Sequence, residues 1–263
     1  MKLALSNIGW DAEYDRQVYE LMKRHGFTGL EIAPTRIFPE TPYDKLKEAT
    51  AWSENLKKEY GFMVPSMQSI WFGRQEKLFG SKEDRLALTD YTKKAIDFAY
   101  MTGCKNLVFG CPGNRVIPDC TYERIGIDFF REVGNYAAYK GVVIGMEANP
   151  AIYNTNYIND TLSAFDLIKK VDSVGFLLNL DVGTMIQNDE TVDELRGKVS
   201  LINHVHISEP GLNPIMKRKI HRQLSNLLHE EKYQGFVSVE MGKTDDMHTI
   251  ENALSYVREI FGS

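Results

Sequence analysis

A glycine followed by a β-rich apolar run recurs along the chain at Gly26 (GFTGLEI), Gly61 (GFMVPSM), Gly103 (GCKNLVF), Gly141 (GVVIGME), Gly175 (GFLLNL), Gly197 (GKVSLINHVHI) and Gly235 (GFVSVEM). With LALSNI at Leu3, these runs predict eight strands. The intervening stretches, such as YDRQVYELMKRH, RLALTDYTKKAIDFAYMT and YERIGIDFFREVGNYAAYK, place apolar residues three and four apart and predict helices. Each predicted helix runs into one of the glycines, the residue that most readily takes the left-handed conformation at a helix C-terminus.

Strand, loop, helix and glycine therefore form a unit used eight times in 263 residues. That number and size predict an α/β fold, a (β/α)8 barrel in one domain over residues 1–263, because a doubly wound sheet usually stops at five or six strands. The longer loops, PTRIFPETP, SIWFGRQEKLFGSKED and CPGNRVIPDC, follow the second, third and fourth strands. In a barrel they lie at the C-terminal mouth, where active sites are built.

Alternation along the strands fixes which residues face inward. With Glu147, Asp181, His206 and Glu240 inward, the outer face reads Val142, Ile144, Met146, Phe176, Leu178, Leu180, Leu201, Val205, Ile207, Val237 and Val239, interrupted only by Asn203. One layer deeper come Gly145, Asn179, His204 and Ser238, and below them Val143, Leu177, Ile202 and Phe236. Polarity rises toward the strand ends. Ionised carboxylates inside a barrel are costly unless a cation compensates them. Three acids and a histidine converging at one mouth thus predict a bound dication, held by Glu147, Asp181, His206 and Glu240. One imidazole and three carboxylates without thiolates suit Mn2+ first, with Mg2+, Co2+ or Zn2+ as alternatives. His204, a layer beneath, is expected to support a ligand rather than act as one.

Composition narrows the picture further. The formal charge of -5 is spread along the chain and offers no basic stripe to nucleic acid. No apolar run is long enough to cross a bilayer, and the N-terminus lacks the apolar core of a secretion signal, so a cytoplasmic protein is expected. Three cysteines, Cys104, Cys111 and Cys120, form no CxxC and no even set for a disulfide framework.

The segments MEANP, NLDVGT, HVHISEP and VSVEMG resemble the four metal-ligand motifs of the xylose-isomerase-like barrels, the sugar isomerase/epimerase superfamily, and are most similar to those of the ketose 3-epimerases. The resemblance implies one divalent cation on Glu147, Asp181, His206 and Glu240, which lie 34, 25 and 34 residues apart. It extends to the NTNYINDTLSAFDLIKKVDSVGFLLNLD segment and to Glu209, an acid three residues past the metal histidine. It fails at Thr184 and Leu212, where these epimerases usually carry a substrate-binding histidine and arginine. Lys217 or Arg218 is a replacement cation to consider, against the plainer reading of a solvated helix face.

The chemistry implied is movement of a proton next to the carbonyl of a small ketose or polyol ketone through an enediolate. Glu147 and Glu240 are the acid/base pair in that reading. Trp71 and Phe72, with Trp10, Phe38 and Tyr153, are candidates for the apolar floor of a sugar pocket, and Asn149 and Asn156 for donors to its hydroxyls; each has an ordinary structural alternative. Three competing readings stand beside this one. A keto-inositol dehydratase shares the first step. An apurinic endonuclease with three zinc ions would need further histidines at strand ends, and SMQSIW and VFGCPG offer none. A non-catalytic metal-binding barrel remains, and a homo-oligomer is compatible with any of them.

Overall fold

The apolar runs assemble in parallel as β1 (Lys2–Ser6), β2 (Gly29–Glu31), β3 (Ser66–Met67), β4 (Asn106–Phe109), β5 (Val143–Met146), β6 (Phe176–Asp181), β7 (Ile202–Ile207) and β8 (Phe236–Val239). The computed structural model describes residues 1–262 of the chain. Hydrogen-bonded neighbours follow the order β2-β1-β8-β7-β6-β5-β4-β3. The two ends of that series meet through isolated pairings, Gly29 with Met63 and Ile32 with Met67, which close the barrel. Pro65 lies between these pairings and has no N–H to give to a ladder, which keeps β3 to two residues and makes the β2–β3 seam the thinnest in the barrel.

Around the sheet run α1 (Asp15–Arg24), α2 (Pro34–Ile37), α3 (Leu46–Tyr60), α4 (Lys82–Thr102), α5 (Glu123–Lys140), α6 (Thr161–Val171), α7 (Val182–Gln187), α8 (Lys219–Glu230) and α9 (Met247–Phe261). Gly61, Gly103 and Gly141 end α3, α4 and α5 at φ of 76°, 75° and 68°, as the pattern predicts. Behind α6 and α8 the left-handed turn falls instead to Asp172 and Lys232. Gly175 and Gly235 serve a different end. A Cβ at Gly175 would meet the backbone of α5 at Gly134 and Ala138, and one at Gly235 would meet the Tyr233 ring.

The expected outer face is buried against the helices, with Ile144, Phe176, Leu178, Leu180, Val205, Ile207, Val237 and Val239 all at 1% exposure or less. Three expectations on β7 are corrected. Leu201 belongs to a 3-10 turn before the strand. Asn203 is not an outer-face exception, because the β6–β7 register slips there: Leu178 pairs with Ile202 but Asn179 with His204. Asn203 is the extra residue of that bulge, and its amide reaches inward to donate to Asn106 Oδ1 at 2.8 Å. Ile202, paired with the outward Leu178, thereby leaves the inner layer assigned to it.

Inside the barrel, Asn106 is a hub. Its Nδ2 donates to Ser66 Oγ at 3.0 Å and to Asn179 Oδ1 at 3.1 Å. Gly145 makes room for it, since a Cβ there would sit 2.6 Å from Asn106 Oδ1. Below, the Phe236 ring fills the floor so closely that a Cβ at Gly29 would lie 2.7 Å from it. Among the described residues no helix is long and apolar enough to cross a membrane.

Candidate metal centre

Glu147 and Glu240 follow β5 and β8, Asp181 ends β6, and His206 stands near the end of β7. Each offers one ligand atom, and these atoms all lie within 4.8 Å of one another. His206 is wholly buried, with Nδ1 3.1 Å from Glu147 Oε1 and 3.2 Å from Glu240 Oε2. The four thus meet at the barrel mouth, where Glu147, Asp181 and Glu240 line a cavity together with Gln68, Cys111, Asn149, Tyr153, Glu209 and Leu212.

Local structure aims each carboxylate. Asp181 caps α7, its Oδ2 accepting from the Thr184 N–H at 2.8 Å, while its Oδ1 accepts from the Ser208 hydroxyl. Glu147 Oε1 accepts from Asn179 Nδ2 at 3.0 Å and Oε2 from Asn149 Nδ2 at 3.2 Å. The Asn149 amide is oriented in turn by Arg115, whose Nη2 donates to Asn149 Oδ1 at 2.7 Å and to the Glu147 carbonyl at 2.9 Å. Gly110 leaves the space that Glu147 occupies: a Cβ there would lie 2.7 Å from Oε2.

A second carboxylate layer was not anticipated. Glu31, the last residue of β2, is wholly buried, with its Oε2 2.9 Å from His206 Nε2 and 3.1 Å from His204 Nε2. Gln68 Nε2 donates to Glu31 Oε1 at 3.2 Å and to Ser6 Oγ at 2.6 Å. An acid between buried Leu30 and Ile32 carries the same alternation signal as Glu147, so this residue was legible in GLEI. Glu31, His204 and His206 also form a second trio of possible ligand atoms. They are spent on one another: the imidazoles converge on a single carboxylate oxygen.

The charges are strongly coupled. Burial raises the Asp181 and Glu240 carboxyls, Glu240 to about 7, and the neighbouring carboxylates, Glu147 among them, push in the same direction. Burial works against charge on His206, but Glu31, Glu240 and Glu147 outweigh it and hold the imidazolium well above its usual range. Glu31 is held far below the usual carboxylate range, because the two histidines overcome the effect of burial. His204 is lowered by burial. A proton on His206 Nδ1 therefore stands between Glu147 and Glu240, where a cation with nitrogen and oxygen ligands would take its place.

The remaining candidates divide. Asn149, Tyr153 and Glu209 line the cavity, whereas His204 does not. Glu209 accepts a bidentate pair from Arg218, whose Nε and Nη2 lie 2.8 and 2.6 Å from its Oε1 and Oε2. Arg218 is thereby committed to Glu209. Trp71, expected at the pocket, is 2% exposed, donates to Thr92 Oγ1 at 2.8 Å and packs edge-on against Phe109 and Phe129. Trp10 and Phe38 also pack internally, and Phe72 is 68% exposed. Asn156 clamps the Ile117 backbone rather than facing the cavity. Thr184 is buried, its hydroxyl 2.8 Å from both Asp181 Oδ2 and the Ala148 carbonyl, so it holds the Asp181 carboxylate in place.

The family model described as xylose isomerase-like TIM barrel matches residues 19–260. No curated protein matches the sequence. Among solved structures, a 3-keto-D-glucoside 4-epimerase from E. coli is similar at 20% identity and TM-score 0.79, covering 98% of this chain and 99% of its own. A D-psicose 3-epimerase with D-tagatose from Clostridium cellulolyticum H10 shares 18% identity at TM-score 0.77, with 99% of both chains covered. A family 2 AP endonuclease from Brucella melitensis shares 18% identity at TM-score 0.75, over 97% of this chain and 98% of its own. At these identities the likeness is one of fold.

Proposed function

The chain belongs to the xylose isomerase-like TIM barrel family, and from that membership we propose that it is a divalent-metal-dependent sugar isomerase or epimerase acting on an uncharged ketose or polyol ketone. The observation that carries this reading is the convergence of Glu147, Asp181, His206 and Glu240 at a barrel mouth that opens into a cavity. Burying three carboxylates together is costly without a compensating cation. The Arg115 guanidinium lies beside Glu147, but its bonds go to a carbonyl, an amide oxygen and a thioether. One imidazole nitrogen and three carboxylate groups fit Mn2+, with Mg2+, Co2+ or Zn2+ as alternatives.

A dication held by these four residues would supply Lewis acidity toward adjacent carbonyl and hydroxyl oxygens of the substrate. The chain's own part is the proton. Glu147 and Glu240 reach the cavity from β5 and β8, and we assign one to remove the proton beside the carbonyl and the other to return it. Return on the opposite face inverts the centre, and return to the neighbouring carbon moves the carbonyl. Asn179, Asn149 and Arg115 keep Glu147 in place while this happens.

The cavity wall supports a neutral substrate. Its lining holds four carboxylates, Glu147, Asp181, Glu209 and Glu240, and no lysine, arginine or histidine, so a phosphate or carboxylate group on the substrate would find no side-chain cation to pair with. Leu212 lines the wall where the resembling epimerases usually carry an arginine, and the buried Thr184 stands in for their histidine. These two replacements argue for a sugar different from theirs.

The test is incubation with D-psicose, D-tagatose and a 3-keto-D-glucoside in D2O with Mn2+, followed by NMR and mass spectrometry. Deuterium is expected next to the carbonyl with the carbon skeleton and its oxygens retained, whereas loss of water would mark a dehydratase. Glu147→Gln and Glu240→Gln are each expected to lower exchange by about 100-fold or more. Undiminished exchange in both variants would remove the acid/base assignment.

A further inference from the structure

Glu31 is 0% exposed and belongs to none of the residues that line the cavity, yet it touches the metal histidine on the side away from the cavity. A carboxylate accepts hydrogen bonds only, so His206 Nε2 must donate to Glu31 Oε2 across their 2.9 Å contact. That fixes the ring orientation and leaves Nδ1, between Glu147 and Glu240, as the nitrogen that faces the ligand cluster. The other Glu31 oxygen accepts from Gln68 Nε2 at 3.2 Å, and the same Gln68 nitrogen lies 2.6 Å from Ser6 Oγ. One carboxylate therefore links β7, where the histidine stands, to β2, to the segment after β3 and to β1.

These contacts cross the barrel at its thinnest point. The β2–β3 seam has only isolated pairings, and its backbone bonds are Met63 N–H to Thr28, Leu30 N–H to Met63, Ile32 N–H to Ser66 and Gln68 N–H to Ile32. The Glu31–Gln68 bond runs alongside them. We propose that Glu31 is a positioning residue that couples metal coordination at His206 to closure of the barrel at the β2–β3 seam. The inference rests on the four-residue cluster binding a divalent cation. A cation that holds the His206 ring holds Glu31, and Glu31 in turn holds Gln68 against the seam. His204 Nε2 lies 3.1 Å from the same oxygen without meeting hydrogen-bond alignment, so a second imidazole stands beside Glu31.

The experiment is Mn2+ titration by calorimetry, paired with amide hydrogen exchange with and without Mn2+, on the wild-type chain, Glu31→Gln and Gln68→Met. If the wild type binds no Mn2+, the metal reading itself falls, and that outcome is distinct from failure of the coupling. Given one equivalent bound by the wild type, Glu31→Gln is expected to bind about 10–100-fold more weakly, because the glutamine turns an N–H toward a donor. Mn2+ is expected to slow exchange at Leu30, Ile32 and Gln68 in the wild type and to leave those amides unchanged in Glu31→Gln. Gln68→Met, which cuts the link after Glu31, is expected to keep affinity within about threefold while losing the seam protection. It decides the matter if Glu31→Gln does not fold. Affinity within twofold of wild type in Glu31→Gln, seam protection that survives in either variant, or a second equivalent of Mn2+ lost with Glu31 would each overturn the proposal.

Discussion

Gly110 shows how little slack the site leaves at the scale of single residues. A Cβ there would approach Glu147 Oε2 to 2.7 Å, and because that oxygen ends a flexible side chain the fold should survive while the carboxylate turns away. Gly110→Ala is therefore expected to melt within a few degrees of wild type but to bind Mn2+ about tenfold or more weakly, measured by calorimetric titration; unchanged affinity would mean that Glu147 is not a ligand. The aromatics teach the opposite lesson. Trp71 and Tyr153 were equal candidates for the pocket, and their sequence contexts do not separate them. Trp71 donates to Thr92 Oγ1 and packs edge-on against Phe109 and Phe129, whereas Tyr153 lines the cavity with its hydroxyl accepting from the Gly211 N–H at 2.9 Å. Which loop side chain turns inward depends on a helix distant in sequence, and no local pattern carries that information.

At the scale of elements, four strands, β3, β4, β6 and β7, are tied inside the barrel by one side chain. Asn106 of β4 donates to Asn179 of β6 and accepts from Asn203 of β7, and Asn179 in turn donates to Glu147. Asn106→Leu would leave the buried Asn179 Oδ1 and Ser66 Oγ without their donor and the half-buried Asn203 amide without its acceptor. Each such group costs about 1–3 kcal/mol, so the variant is expected to lose about 2–5 kcal/mol in denaturant unfolding and to bind Mn2+ more weakly as Glu147 loosens. A loss under about 0.5 kcal/mol would show that water replaces the hub. That Glu147, Asp181, His206 and Glu240 meet at the ends of four strands was readable because alternation is rigid along a strand. The bulge at Asn203 was not, since a slip in register arises from pairing between two strands and leaves each sequence looking regular. Glu31 lay within reach of the same alternation, but its role did not: only the closed barrel brings β2 opposite β7.

Over the whole molecule, the site's charges set how stability depends on pH. Asp181 is raised by burial and the charge of Glu147, and Glu240 by burial and the charges of Glu147 and Asp181, so the folded chain holds protons that the unfolded chain has already released. For Glu240 this makes stability fall as pH rises from 4.5 to about 7. His206 acts in the same direction, its contribution complete below 6.5 and lost as pH climbs through its raised value. Glu31 acts oppositely, but only below 4.5. The metal-free protein is accordingly expected to melt lower at pH 8 than at pH 5.5. Mn2+ at a hundredfold excess over its dissociation constant contributes about 2.7 kcal/mol, which is about 5–10 °C in a chain of this size. That gain should be larger at pH 8, where fewer protons compete for the ligands. Thermal melts in chelator and in Mn2+ at the two pH values check both, and a metal-free chain that melts higher at pH 8 would contradict the charge assignment.

The sequence by itself determined the eight-fold repeat, the apolar outer face of the strands and the four residues that end them at the mouth, because helix and strand periodicities and glycine punctuation are local properties of the chain. Tertiary structure alone decided what stands behind those residues: the carboxylate of Glu31 under His206, Arg115 behind Asn149, and the inward turn of Asn203. Each of these depends on two strands or loops far apart in sequence meeting across a closed sheet, and a contact of that kind leaves no periodicity in either segment.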